Sequence, residues 1–214
     1  MLTSLVPRPF AHSLAARERD ALCDLVLSVG GAGPTMCAGW SVKDLVVHLL
    51  VRERRPWSAL GAVVPAVERA TERTSALLAA RDLASLVTQL RSVPLPLSVV
   101  DPLLNGMEMF VHHEDVRRAQ PSWSPRPLGD ADERQLWRAA SLLGRLQGRR
   151  AGAPLVIESG ERRAVLRGGP DPVVVSGPVS EVLLFVAGRA SVAQVGFDGS
   201  EASVSRVREA AFAL

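Results

Sequence analysis

Four histidines, His12, His48, His112 and His113, are the scarce reactive side chains of this 214-residue sequence. The most informative run among them is Glu108-Met-Phe-Val-His112. Residues four apart on an α-helix lie about 40° apart around its axis, with Cβ atoms about 5–6 Å apart. One helix then offers a carboxylate and an imidazole side by side, the spacing that two ligands of one divalent metal require. His48 falls three residues after Leu45 and beside Leu49, inside the apolar stripe of an earlier helix. An antiparallel bundle could bring it opposite Glu108 and His112. Two histidines and one glutamate with an open fourth position are the ligand pattern of catalytic zinc sites. Spacing alone leaves a plainer reading open: a solvated Glu–His contact worth a few tenths of a kcal/mol, and a hydrogen-bonded core histidine at 48.

The neighbours of this trio have roles of their own. Asp115, three residues after His112, suits the task of holding the ring's other nitrogen in one tautomer, with simple solvation as the alternative. His113 points about 100° away from His112. It either bonds Glu114 or Asp115 across the surface or acts behind the ligands. Asn105, one turn before Glu108, either orients that carboxylate or caps its helix. Cys23 and Cys37 form no Cys-x-x-Cys pair, so any metal must use His and carboxylate ligands, and both thiols are expected to be reduced.

Helices must position these residues. Apolar periodicity predicts helices over about His12–Val29, from Ser41 onward, over Gly61–Ala80, Asp82–Val93, Pro102–Ala119 and Asp130–Gln147. Gly30, Gly31, Gly33 and Pro34 end the first. Ser41 with Asp44 is a short-armed capping box. Pro94 and Pro96 break the pattern after the fourth. Short-looped helices of this kind suggest an antiparallel bundle. Beyond Gly152 the character changes to β-branched runs at Leu155–Glu158, Ala164–Leu166 and Val173–Ser176. Helices are expected over Val179–Ala187 and Val204–Ala213, with an extended stretch at Val192–Phe197. The fold class expected is α+β. Its parts are a helical domain over residues 1–150 and a small α/β domain over 151–214, with the boundary at about 149–153.

Composition narrows the function classes. The hydrophobic fraction of 47% is ample for a core, and no apolar run approaches the length of a bilayer span. Leu2–Phe10, cut by Pro7, Arg8 and Pro9, lacks a signal-peptide apolar region, so a cytoplasmic protein is expected. Formal charge is only +3, and Lys43 is the sole lysine. The arginine clusters (Arg52, Arg54 and Arg55; Arg149 and Arg150; Arg162 and Arg163) are short and interspersed with acids. A nucleic-acid partner, which needs a continuous basic face, is therefore not expected.

Two stretches resemble a known family. Pro34-Thr-Met-Cys37-Ala-Gly39-Trp40-Ser-Val-Lys-Asp44-Leu-Val-Val-His48 resembles the loop and helix of the mycothiol-dependent maleylpyruvate isomerase family, which belongs to the DinB-like metal-binding bundles. Asn105-Gly-Met-Glu108-Met-Phe-Val-His112-His113-Glu-Asp115-Val-Arg-Arg118 is similar to its second metal-binding helix, and the stretch from Val111 to Pro121 resembles an actinobacterial branch in particular. Gly177 to Arg189 is more loosely similar to the family's small C-terminal domain. The resemblance implies an N-terminal DinB-like four-helix bundle holding zinc through His48, Glu108 and His112. It implies mycothiol as thiol cosubstrate, presented as a thiolate that adds to an activated double bond, allows rotation and is eliminated. In relatives the thiol is transferred to an electrophile instead. Arg189, by the same likeness, would bind a dicarboxylate substrate or the thiol; the alternative is an ordinary arginine at a helix C-terminus. Cys37 reads as a packed small apolar residue and Trp40 as a staple of the loop onto the second helix. No catalytic residue is assigned.

The function expected is thus a metal-dependent, thiol-using isomerase or thiol transferase acting on a small electrophilic substrate. The rival is a non-enzymatic metal-binding protein with a structural, sensing or small-molecule-binding role. Substrate and oligomeric state are not legible in the residues.

Overall fold

The computed structural model of the chain describes residues 13–54, 65–92 and 102–210. His12, Arg55, Pro94 and Pro96 lie outside the described residues, as do the ends of several expected helices. The chain forms two compact units, Met1–Ser122 and Trp123–Leu214. The class is α+β.

The described part of the first unit is helical: α1 (Leu14–Val29), α2 (Val42–Arg54), α3 (Pro65–Ala79), α4 (Leu83–Arg91) and α5 (Pro102–Arg117). Local chemistry sets their ends. The Ser13 hydroxyl accepts from the Ala16 amide, and Asp82 accepts from Ser85, so α1 and α4 each begin on a side-chain cap. At Gly30, which closes α1, φ is +86°, a conformation that favours glycine. The Ser41 box forms as expected: the Ser41 amide donates to Asp44 Oδ2 at 2.9 Å and the Asp44 amide to Ser41 Oγ at 3.3 Å. Leu22, Val26, Leu45, Leu49, Leu86, Leu90, Met109 and Val116 meet in one core. Within it α1 packs along α5 and α4, while α2 packs on α3 and α4. Leucine at helical spacing buries one stripe per helix, each fully buried side chain contributing about 1.5–3 kcal/mol.

The second unit holds α6 (Asp130–Gln147), a short 3-10 turn (Gly148–Arg150), β1 (Leu155–Ser159), β2 (Arg162–Arg167), β3 (Val173–Ser176), α7 (Val179–Val186), β4 (Gly196–Asp198) and α8 (Glu201–Glu209). Its sheet runs β2-β1-β3-β4, with β1 and β3 parallel and the two outer pairings antiparallel. In β3 Val173 and Val175 alternate toward the core, while in β1 Leu155, Val156 and Ile157 are all buried, as befits a central strand.

Here the expected boundary moves. Helix α6, assigned by sequence to the bundle, packs on α7 and β2. A Cβ at Gly148 would sit 2.6 Å from the Leu166 carbonyl oxygen, so the end of α6 lies directly on strand β2. The Arg149-Arg150-Ala151-Gly152 stretch is no linker either: Ala151 and Ala153 are buried, and a Cβ at Gly152 would lie 2.7 Å from the Arg206 carbonyl oxygen. The units divide instead within a stretch punctuated by Pro121, Pro125 and Pro127. Strand β4 is also shorter than the extended stretch expected over Val192–Phe197, because Val192 and Ala193 donate their amides to the Arg189 carbonyl in a turn.

Candidate metal centre

Two helices build the centre, α2 with His48 and α5 with Glu108 and His112. Both imidazoles converge on one carboxylate oxygen: His112 Nε2 lies 3.3 Å and His48 Nε2 lies 3.6 Å from Glu108 Oε1. The three ligand atoms all lie within 4.8 Å of one another. A tetrahedral site with bonds of about 2.0–2.1 Å has ligand–ligand edges of about 3.3–3.4 Å. The two Nε2–Oε1 separations match such edges, so the donor set fits a divalent cation in both chemistry and spacing.

Neighbouring groups orient each candidate ligand. Asp115 Oδ2 lies 2.8 Å from His112 Nδ1 and holds the proton there, leaving Nε2 directed at Glu108. Arg52, one turn after His48, reaches two residues of α5 together. Its Nε lies 3.2 Å from Glu108 Oε1, and its Nη1 donates to Asn105 Oδ1 at 2.8 Å. Asn105 therefore acts on Glu108 through Arg52, and does not cap the helix, which begins at Pro102. The Trp40 ring lies 4.9 Å from the His48 ring, centroid to centroid, and 39% of this tryptophan is exposed. As expected it packs against the second helix, covering His48, while staying partly exposed.

Electrostatics agree with the geometry. Burial acts to raise the Glu108 pKa, but the contacts from His112 and His48 and the charge of Arg52 outweigh it and hold the carboxyl far below its usual range. Burial acts to lower the His112 pKa, and contacts to Asp115, Cys37 and Glu108 carry it well above 6.5 instead. A pocket that favours a proton on His112 Nε2 beside a carboxylate is one that stabilises a cation at that point. A metal bound there would displace that proton, so its affinity would fall as pH drops.

The structure separates the remaining candidates. His113 does not reach Glu114 or Asp115. Its position about 100° round α5 turns it toward α1, where Nδ1 lies 2.7 Å from Glu18 Oε2 and both side chains are buried. Arg189 belongs to the second unit, where its guanidinium donates to the Ala187 carbonyl at 2.6 Å. Two functional neighbours escaped sequence reasoning. Arg52 carried a readable signal, the i+4 spacing that puts it on the His48 face. Cys37 carried none: its thiol meets Asp115 Oδ2 at 3.2 Å across 78 residues of chain. Cys23, by contrast, is fully buried, and desolvation pushes its thiol up to about 11.

Comparison with solved structures bears on what such a centre serves. The crystal structure of the mycothiol-dependent maleylpyruvate isomerase matches with a TM-score of 0.60 at 18% identity, covering 86% of this chain and 90% of that one. This chain shares that enzyme's fold. A crystal structure of a histidine-to-alanine mutant of the enzyme matches over the same shares, with a TM-score of 0.61 and 16% identity. Neither a protein-family model nor a curated protein sequence matches the chain. Among the described residues, no helix is long and apolar enough to cross a membrane.

Proposed function

We propose that this chain is a metal-dependent enzyme. In this reading zinc is held by His48, Glu108 and His112 in a DinB-like bundle, and a low-molecular-weight thiol such as mycothiol serves isomerisation of, or transfer to, a small electrophilic substrate. The observation that carries the reading is the convergence of three ligand atoms within 4.8 Å. The fold shared with a thiol-dependent isomerase supports the chemistry. When bound, zinc supplies a Lewis-acid centre that keeps a sulfur ligand as thiolate at neutral pH.

The chain's own residues do the rest. Arg52 and Asn105 fix the Glu108 carboxylate so that it need not reorganise when a cation arrives. Asp115 keeps one His112 proton on Nδ1, so that Nε2 is the nitrogen that yields its proton to a metal. The His48 side, where 37% of the side chain is exposed, admits the thiol and substrate. Arg189 is assigned, on the chemistry of its guanidinium fork, to a carboxylate of the substrate or the thiol. A cytoplasmic pool of small thiols is the compartment this chemistry requires.

The first test is metal analysis of protein purified without chelator. Stoichiometric zinc is expected in the natural chain, and loss of at least 90% of it, on the order of the large cost of deleting a ligand, is expected in His112→Ala. A natural chain with no bound divalent metal would sink the reading. Turnover that persists unchanged after small thiols are removed would sink the thiol half alone.

A further inference from the structure

Two hydrogen bonds tie the loop before α2 to Asp115 of α5. The Met36 amide donates to the Asp115 carbonyl at 2.9 Å, and Cys37 Sγ lies 3.2 Å from Asp115 Oδ2. That same Oδ2 accepts from His112 Nδ1 at 2.8 Å. The loop is itself pinned. Pro34 and Ser41 form an antiparallel bridge, the Cys37 amide donates to Thr35 Oγ1 at 3.2 Å, and Thr35 Oγ1 donates to the Trp40 carbonyl at 2.8 Å. Cys37 is thus presented to Asp115 from a closed turn rather than from a free loop.

Two roles would bring Cys37, Asp115 and His112 together: a second metal site or a hydrogen-bonded relay. Their ligand atoms lie within 4.8 Å of one another, so proximity alone admits both. The individual separations decide. Across a zinc ion, a nitrogen–oxygen edge is about 3.3 Å and a sulfur–oxygen edge about 3.5 Å, from bonds of about 2.0–2.1 Å and 2.3 Å. The observed 2.8 Å and 3.2 Å are shorter than both and suit N–H and S–H donation to a carboxylate. Asp115 is completely buried, so its charge depends on such donors.

We infer that Cys37 is a positioning residue for the metal centre, its thiol donating to Asp115 and thereby fixing the orientation of His112. The inference rests on the function proposed above for the metal, but the relay itself exists without it. Asp115 accepts two donors on one oxygen, which locks its rotamer and leaves a single direction for the imidazole. With the thiol removed, the carboxylate can turn about its own axis, and the imidazole turns with it.

The test compares the full-length natural chain with Cys37→Ala and Cys37→Ser, the serine restoring an O–H donor. Where the alanine variant fails to fold, Cys37→Val fills the site without a donor. Cobalt(II) is titrated into metal-free protein and followed by its visible absorption. Cys37→Ala is expected to bind about tenfold more weakly with an altered spectrum, and Cys37→Ser within about threefold of the natural chain, as befits a residue behind a ligand. Equal affinity and spectrum in the natural chain and Cys37→Ala overturns the proposal, as does a serine variant no better than alanine. In parallel, the His112 Nδ1 proton is observed by NMR in metal-free protein labelled at histidine nitrogen. A downfield, slowly exchanging resonance is expected in the natural and serine chains and is expected to be lost in Cys37→Ala. Should the natural chain bind no cobalt, the metal reading fails, and persistence of that resonance in Cys37→Ala then overturns the relay separately.

Discussion

At the scale of single residues, a guanidinium lies beside the candidate ligands, and its place there needs a reason. A positive charge beside a metal opposes binding by simple Coulomb repulsion, yet Arg52 lies 3.2 Å from Glu108 Oε1. Its value is geometric: Nε and Nη1 engage Glu108 and Asn105 together, which a lysine ammonium cannot do from one position. Arg52→Met is expected to weaken zinc about 10-fold to 100-fold by freeing the carboxylate, and Arg52→Lys is expected to restore little of it. Competition with a chromophoric chelator measures both. Unchanged or tighter binding in Arg52→Met would show that the guanidinium does not position the carboxylate. The same logic explains the burial of Asp115 and His112, whose mutual hydrogen bond satisfies groups that would otherwise be costly to desolvate.

At the scale of elements, α2 and the turn before it carry both a ligand and the means of aiming it. The Ser41–Asp44 box fixes where α2 starts, and so the rotation at which His48 emerges about two turns later. Hydrogen bonds from the Ser41 hydroxyl and amide hold the Asp44 carboxyl below its usual value. A lowered folded pKa contributes stability above the unfolded value and loses it as pH falls through the folded one. Ser41→Ala is therefore expected to cost about 1 kcal/mol near pH 7. That cost is expected to shrink as pH falls below the ordinary carboxylate value of about 3.9 and on through the lowered value of the folded Asp44. Urea unfolding at several pH values reads this directly; a cost that stays constant to pH 2.5 would mean the Asp44 arm contributes nothing. Helix α5 shows a different economy, in which successive residues serve different neighbours: His112 the centre, His113 the Glu18 of α1, and Glu114 the arginines 117 and 118.

At the scale of the whole molecule, the three candidate ligands all come from the Met1–Ser122 unit. Ile157, fully buried in the sheet of the other unit, offers a way to weaken that unit alone. Ile157→Ala is expected to cost about 2–5 kcal/mol in stability. Zinc stoichiometry and affinity at 10 °C are expected to stay at the natural level. Loss of metal in the folded variant would show that the second unit is needed to hold the ligands in place. Placing α6 with the sheet also explains its apolar face, since Leu136, Ala139 and Ala140 are buried while the small Gly144 admits Leu166.

Much of this was legible in the residues. Helix positions followed from apolar period, the α2 start from Ser41 and Asp44, and the pairing of Glu108 with His112 from their four-residue spacing, because each depends on contacts within one or two turns. The partner of a local motif was not legible in the same way. That His48 meets Glu108 Oε1, that Arg52 bridges to Asn105, and that Cys37 reaches Asp115 depend on how α2 and its loop lie against α5. His113 found Glu18, a residue that no spacing rule connects to it. The domain boundary failed for a related reason: an amphipathic α6 states that it has an apolar face but not which surface covers it. The sequence by itself determined most of the elements and the candidate ligand trio, since propensity and spacing act over a few residues. The tertiary structure alone decided which side chains share an oxygen, because long-range packing sets those distances and no local rule encodes them.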